Sequence, residues 1–197
     1  MDDVTEQSRA AGDLTSIPGA VGPSPPQHAT MTRLGNLRWA ELQVFTVTGG
    51  WVASSVDPSV ATVLSAVSAH AAWRARNLAD RLPTIGEFRA PAVTVPAAAS
   101  LEDLMTRIAA IEGDAPRVAV LADVVLPSLV AALGDLAATL SPVADAPSLR
   151  IIPIGVTDLE ADIACLAELV PTGDPTSPSS DTFVTDVRTA LAAAGGW

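Results

Sequence analysis

The sequence predicts an all-α protein built on a four-helix bundle, and three observations favour this class. Apolar residues recur at three- and four-residue spacing in four segments of about twenty residues, each about 30 Å long as a helix. Proline and glycine clusters separate these segments, and none alternates apolar and polar residues as a half-buried strand does. Hydrophobic residues make up 49% of the 197 residues, enough for one domain with a sizeable core.

The first two predicted helices form a hairpin. The first runs from about Thr32 to Val47. Gly49 and Gly50 are expected to loosen or end it, because glycine weakens a helix, with a further turn at Trp51 and Val52 as the alternative to an end. The second runs from Pro58 to about Leu82. Asp57 is expected to be its N-cap, since aspartate accepts hydrogen bonds from the first free amides and proline suits the first helical position. Residues 1–30, rich in Pro, Ser and acids, are expected to form a flexible leader.

A long connection then leads to two further helices. Residues 83–99 are punctuated by proline, and Ser100 with Asp103 is expected to form a capping box that opens a short helix. The third long helix is predicted from Ala115 to Leu140, with a kink at Pro127. The fourth runs from about Ser148 to Val170. Its apolar stripe has heptad-like spacing and consists of Ile152, Val156, Leu159, Ile163, Leu166 and Val170.

The predicted organisation therefore has three parts. The leader covers residues 1–30, and the helical bundle with its long crossover covers residues 31–171. Residues 172–197 form a polar linker and a short C-terminal helix. The chain ends in Trp197 after two glycines, and this terminal aromatic side chain could dock onto a partner.

Composition and charge narrow the classes of function. The formal net charge of −11, without a basic cluster, argues against binding nucleic acid or an anionic membrane. The single cysteine excludes an internal disulfide and favours a reducing cytoplasm. The acidic N-terminus lacks the apolar region of a signal peptide, and no uninterrupted apolar run reaches the length of a membrane span. Because only 17% of residues are charged, the chain is expected to bury surface in a homo-oligomer or against a protein partner.

Charged residues fall on the inward face of the first hairpin. Glu41 lies one turn after Leu37 on the apolar stripe, so its carboxylate must be paired, protonated or bound to a metal. His70 and Arg74, one turn apart on the second helix, are expected to face it. These residues are interpreted first as a buried ion-pair network and alternatively as part of a single-metal site.

The fourth helix carries three polar residues on one side, Asp158, Asp162 and Cys165. The two aspartates flank the apolar stripe and are interpreted as a solvated face, with metal ligation as the alternative. Cys165 is interpreted as a small core residue, and a nucleophilic pair with His70 is the alternative. Three tryptophans of the first hairpin are expected to be core or interface anchors: Trp39, Trp51 and Trp73.

The chain resembles ferritin-like proteins of the actinobacterial type. The resemblance rests on LRWAELQVFTVTGGWV paired with SAHAAWRARNLADRLP, and on VLPSLVAALGDLAATLSPVADAPSLRIIPIGVTDLEADI, and it covers residues 32–170. It implies a bundle of two hairpins joined by a long crossover, with a Glu on the first and third helices and Glu-x-x-His on the other two.

Carried onto this chain, the implied di-iron ligand set is degenerate. Glu41 and His70 match ligands, whereas Val67 stands at the Glu of the first Glu-x-x-His. Asp123 is the candidate on the third helix, and the segment from Asp162 to Cys165 lacks the final His.

The function expected from the sequence is a non-catalytic bundle without a cofactor, which acts as a binding or scaffold component of an oligomeric assembly. The alternative is a non-haem iron or manganese oxidoreductase with an atypical site. Its candidate metal ligands are Glu41, His70, Asp158 and Asp162.

Overall fold

The computed structural model describes residues 27–169 and 178–197, and its regular structure there is entirely helical. The helices are α1 (Gln27–Val52), α2 (Pro58–Ala79), α3 (Ala90–Val93), α4 (Ser100–Ala109), α5 (Asp114–Val120), α6 (Leu126–Thr139), α7 (Ala146–Ala167) and α8 (Pro178–Ala193). The predicted all-α class is confirmed for this part of the chain. The predicted leader and linker fall largely on residues 1–26 and 170–177, outside the described residues.

Helix α1 is longer than predicted at both ends. It begins at Gln27, so the last residues of the predicted leader are helical, and it continues through Gly49 and Gly50 to Val52. Of the two expectations at the glycine pair, the helix follows the alternative, a further turn through Trp51 and Val52. The glycines cost helix stability, but Trp51 beyond them is only 3% exposed and its Nε1 donates a hydrogen bond to the carbonyl of Ala109 at 3.1 Å. Tertiary packing of Trp51 thus holds the last turn.

Helix α2 begins where the sequence predicts. Asp57 is the N-cap and its Oδ1 accepts a hydrogen bond from the amide of Ser59 at 2.8 Å, with Pro58 in the first helical position. The helix ends at Ala79, before the predicted Leu82, whose amide instead bonds the carbonyl of Ala79 at 3.0 Å in a tight turn.

The crossover between the two hairpins lies close against α1. A Cβ on Gly35 would come within 2.1 Å of the carbonyl oxygen of Val93 in α3, so only glycine permits this approach. Next to it, Asn36 Nδ2 donates to the carbonyl of Val95 at 2.8 Å, and Arg38 donates to the hydroxyl of Thr94. These contacts fix the path of the crossover along the first half of α1.

The capping box predicted at Ser100 is wrong. Ser100 is already helical, and no side chain caps α4. The amides of Leu101 and Glu102 instead bond the carbonyls of Ala98 and Ala99 at 3.0 and 3.1 Å. This tight turn satisfies the amides that a capping side chain would otherwise bind.

Helices α5 and α6 form one helical stretch, Asp114–Thr139, joined by a π-helical segment, Leu121–Val125. The segment ends directly before the turn that contains Pro127, where the sequence predicts a kink. Proline has no amide hydrogen and its ring crowds the preceding turn, so a widened turn at this point relieves the conflict.

The same stretch is long and apolar enough to cross a membrane, by length and composition. Half of its most apolar window is buried inside the protein, as in the central helix of a folded domain. Asp123 interrupts the apolar sequence, so it is not the uninterrupted run that membrane spans usually contain. Length and hydropathy alone therefore do not assign this helix to a membrane.

The long helices contact one another in a ring. α1 packs on α2, α2 on α7, α7 on α6, and α6 on α1. Pro153 is tolerated near the start of α7, and of the predicted stripe on this helix Ile152, Leu159 and Leu166 are buried. Val156 and Ile163 are half-buried, while Val170 lies outside the described residues.

Helix α8 packs against α5 and α4, outside the ring. Its inward face is buried at Val184, Val187 and Leu191. Beyond the helix, Trp197 Nε1 donates a hydrogen bond to Ser128 Oγ at 2.5 Å. The terminal tryptophan, which the sequence suggested could meet a partner, contacts its own chain.

Candidate functional site

A buried arginine, Arg74, lies among three carboxylates. Its side chain is 3% exposed, and its Nε donates to Glu41 Oε1 on α1 at 2.9 Å. Its Nη1 donates to Asp158 Oδ2 at 2.5 Å and to Asp162 Oδ2 at 3.1 Å, both on α7. Arg74 therefore links three helices, α1, α2 and α7, through charged hydrogen bonds.

His70 lies one turn before Arg74, at the exposed edge of the same cluster. Its Nδ1 is 2.7 Å from Asp162 Oδ1 and 3.7 Å from Asp158 Oδ1, and its side chain is 45% exposed. The sequence predicted a network of Glu41, His70 and Arg74. The structure brings Arg74 to Glu41 as expected, but His70 pairs with the aspartates of α7.

The interpretation of Asp158 and Asp162 as a solvated face is wrong. The side chain of Asp162 is 5% exposed and that of Asp158 25%. The reason is that both carboxylates accept hydrogen bonds from Arg74, whose side chain reaches across from α2. The arginine also lies beside Gly155, where a Cβ would make an ordinary contact with Arg74 Cδ at 3.7 Å.

Burial and charge act in opposite directions on Glu41. The pKa of Glu41 is raised from 4.5 to about 7: burial is the largest cause, Arg74 opposes it, and the nearby charges of Asp162 and Asp158 add to the rise. Burial alone would lower the pKa of Arg74, but Glu41, Asp158 and Asp162 together raise it above its ordinary value. Arg74 stays charged, and Glu41 is the member of the pair that changes protonation near neutral pH.

The donor atoms of His70, Asp158 and Asp162 lie within 4.8 Å of one another. One imidazole and two carboxylates are a donor set that iron, manganese or zinc accepts. Glu41, the fourth predicted ligand, does not join this group among the described residues, because its hydrogen bond goes to Arg74. What the cluster holds in its interior is therefore the guanidinium.

Other residues singled out in the sequence lie away from the cluster. Val67 is buried in the core, as an apolar residue at a ligand position would be. Cys165 is exposed, so its interpretation as a core residue is wrong. Asp123 on the π-helical segment is exposed.

The tryptophans of the first hairpin differ in exposure. Trp39 and Trp51 are buried core residues as expected, whereas Trp73 is 46% exposed beside the charged cluster. Phe45 recurs at helical spacing with Leu34 and Leu37, a pattern that predicts burial, but it is 43% exposed. Both exposed aromatic side chains project from the first hairpin.

No family model, no curated protein and no solved structure matches this chain.

Proposed function

We propose that this chain is a ferritin-like helical bundle that has lost its metal centre and acts, without catalysis, as a binding or scaffold component of an oligomeric assembly. The observation that carries the proposal is the position of Arg74. Its guanidinium lies between carboxylates from opposite sides of the helical ring, Glu41 on α1 and Asp158 and Asp162 on α7. A side chain thus supplies the internal positive charge that a bound metal would supply.

The helical arrangement supports the ferritin-like part of the proposal. The hairpin of α1 and α2, the crossover through α3 and α4, and the hairpin of the α5–α6 stretch and α7 follow the order of such a bundle. The closed ring of contacts among these helices agrees with it.

The exposed surface supports a role in assembly. Large apolar side chains are exposed on several elements, including Phe45 on α1, Trp73 on α2 and Ile154 on α7. Charged residues make up only 17% of the sequence, and exposed apolar side chains with few charges around them favour association with a partner. We propose a homo-oligomer or a protein partner in the cytoplasm, without nucleic acid, membrane or cofactor.

A second candidate function is a non-haem iron or manganese oxidoreductase. It is favoured by the closeness of His70 to Asp158 and Asp162 at the accessible edge of the cluster. This reading requires the two aspartates to bind a metal while they also accept hydrogen bonds from Arg74. Competition from the guanidinium would weaken such a site, which is why the scaffold is preferred.

Elemental analysis separates the two candidates. The full chain is produced with iron and manganese supplied and is compared with His70→Ala, which removes the imidazole and leaves the Arg74 pairs in place. The scaffold predicts no stoichiometric metal in either protein, together with a mass in light scattering of at least two chains. A stoichiometric metal that is lost in His70→Ala would overturn it in favour of the oxidoreductase, and a monomer at all concentrations would exclude the homo-oligomer.

A further inference from the structure

The outer face of the hairpin formed by α1 and α2 carries almost no charge. From Leu42 to Trp73 the sequence contains no Glu, Lys or Arg, and Asp57 is its only Asp. The whole chain nevertheless has a formal net charge of −11. Because two copies with this charge repel each other, they approach most easily through a surface that bears none. The charge distribution therefore favours this face for contact with a second copy.

Two exposed aromatic rings stand on this face among small side chains. Trp73 is 46% exposed and Phe45 43%, and the hydroxyl of Ser68 joins the two helices by donating to the carbonyl of Phe45 at 2.9 Å. The exposed positions of α2 recur at three- and four-residue spacing and so form one stripe: Ser59, Thr62, Ser65, Ala66, Ala69 and Trp73.

Opposite charges lie at the two ends of the α2 stripe. Asp57 caps the first turn of the helix, and Arg76 is the basic residue of its last turn; both are exposed. When two such helices pack antiparallel about a two-fold axis, Asp57 of each copy comes opposite Arg76 of the other. A parallel arrangement would instead place like charges together. The pattern is therefore complementary to itself in the antiparallel sense, with its midpoint near Ala66.

The same alignment places each aromatic ring opposite small residues. A Cβ on Gly49 would stand 3.1 Å from Ser68 Oγ, so α1 lies nearest the two-fold axis at about Gly49. Phe45, one turn before it, then comes opposite the exposed Ala53 of the second copy, and Trp73 comes opposite Ser59. Large side chains thus face short ones, as close packing between two surfaces requires.

The face is large enough for a dimer. Helix α2 is about 30 Å long, and two helices side by side are about 20 Å wide. The face therefore offers on the order of 600 Å² in each copy, or about 1,200 Å² in total, which is the lower end of the range for stable interfaces.

We propose that the outer face of α1 and α2 is the interface of a two-fold homodimer, in which α2 of one copy packs antiparallel on α2 of the other. The inference rests on the proposed function and deepens it, because it names the surface and the partner of the oligomer. The dimer covers the rings of Phe45 and Trp73 and pairs Asp57 with Arg76 twice.

A charge placed at the centre of the face tests the interface. Sedimentation velocity is expected to show the natural chain as a dimer at micromolar concentrations. Ala66→Glu sets two like charges opposite each other at the axis and should raise the dissociation constant at least about tenfold. Ala164→Glu, at an exposed position of α7, should leave the dimer intact. Far-UV circular dichroism of both variants should match that of the natural chain, because both positions are exposed within helices.

A cysteine near the axis tests the arrangement independently. In a Cys165→Ser background, Ala66→Cys should form a covalent dimer under mild oxidation, since a disulfide requires Cα atoms within about 7 Å of each other. Ala164→Cys in the same background should remain uncrosslinked.

Two neutral substitutions test the pairing of the ends. Asp57→Asn keeps the helix cap, because asparagine caps as well as aspartate, and Arg76→Gln keeps the length of the stripe. Each removes two ion pairs from the dimer and should raise its dissociation constant about two- to tenfold at low salt. Unchanged values for both variants would overturn the antiparallel alignment.

The outcomes separate this interface from the proposed function. An oligomer that is unaffected by Ala66→Glu and gives no crosslink through Ala66→Cys overturns the interface alone and leaves an oligomeric scaffold standing. A natural chain that is monomeric at all concentrations overturns the interface and the homo-oligomer together. The loss of the metal centre is decided separately by the elemental analysis.

Discussion

At the scale of single residues, the ion pair of Glu41 and Arg74 costs free energy to bury, and breaking it by removing one partner costs free energy as well. Glu41 is almost fully buried, and its pKa rises because burial outweighs the attraction of Arg74. Removing only one partner of such a pair leaves an uncompensated charge in the core, which is more damaging than replacing both partners by apolar residues. The pair therefore adds little to the free energy of unfolding. Its main effect is to favour one arrangement of α1 against α2.

Glu41 should make the protein less stable as the pH rises towards neutrality. Its pKa is about 7 in the folded protein against 4.5 as the ordinary value, so the folded state binds this proton more tightly than the unfolded chain. Its contribution is fully present below about pH 4.5 and is lost as the pH rises through about 7, a loss of roughly 3 kcal/mol.

The measurement is the free energy of unfolding in urea at about pH 5 and about pH 8, for the natural chain and for Glu41→Gln. The glutamine side chain is neutral at both pH values, so the variant should lack most of this loss of stability. Other titrating groups are common to both proteins, and the difference between the two pH profiles isolates Glu41. Identical profiles would contradict the raised pKa.

Part of the charged cluster could be predicted from the sequence. Glu41 was predictable because a carboxylate one turn from Leu37 interrupts an apolar stripe, and Arg74 because it follows the same spacing on the facing helix. The burial of Asp162 was not predicted, since spacing places it at the margin of the stripe on α7. Its environment depends on the hydrogen bond from Arg74 on α2, a contact between helices that the periodicity of one helix does not contain.

At the scale of elements, the close approach of α3 to α1 depends on one missing side chain. Gly35 should be replaceable by alanine only at a cost, because its Cβ would lie 2.1 Å from a backbone oxygen of Val93. We expect Gly35→Ala to lower the free energy of unfolding by about 1–3 kcal/mol, as overpacking does, even though alanine favours a helix.

Gly50→Ala is the matched control for Gly35→Ala. Gly50 lies in the same helix, and its new Cβ would meet nothing within 4 Å. It should raise the free energy of unfolding by about 0.5–1 kcal/mol through helix propensity. Urea denaturation of both variants measures the two effects, and a stabilising Gly35→Ala would show that α3 does not pack as described.

Helix positions followed from the sequence better than helix ends did. The start of α2 was predicted because its cap is local: Asp57 binds an amide two residues away. The sequence left open whether α1 continues past Gly49 and Gly50, because the continuation depends on the burial of Trp51 and its hydrogen bond to Ala109. Local signals cannot report a contact made with a residue far along the chain.

At the scale of the whole molecule, α8 is packed as part of the fold. Its apolar face is buried against α5 and α4, and Trp197 bonds Ser128 on α6. Leu191→Ala should therefore lower the stability of the entire protein by about 2–4 kcal/mol, as a cavity in a shared core does.

Hydrogen exchange across all helices, together with the thermal midpoint, measures this effect. Protection should fall in α1, α2 and α7 as well as in α8, and the melting temperature should drop. Faster exchange confined to α8, with an unchanged midpoint, would show instead that the helix unfolds on its own. The sequence predicted this helix but offered no basis for placing it, because its amphipathic face fits any apolar surface.

The way in which Arg74 is shared among three carboxylates also has a consequence for evolution. A change at Glu41, Arg74 or Asp162 alone leaves a buried charge without its partner, which costs several kcal/mol, whereas a joint change to apolar residues can be nearly neutral. Homologous chains that keep this fold should therefore show covariation at these positions. Such chains should either keep all three charged residues or replace all of them. Chains in which only one of the three is replaced should be rare.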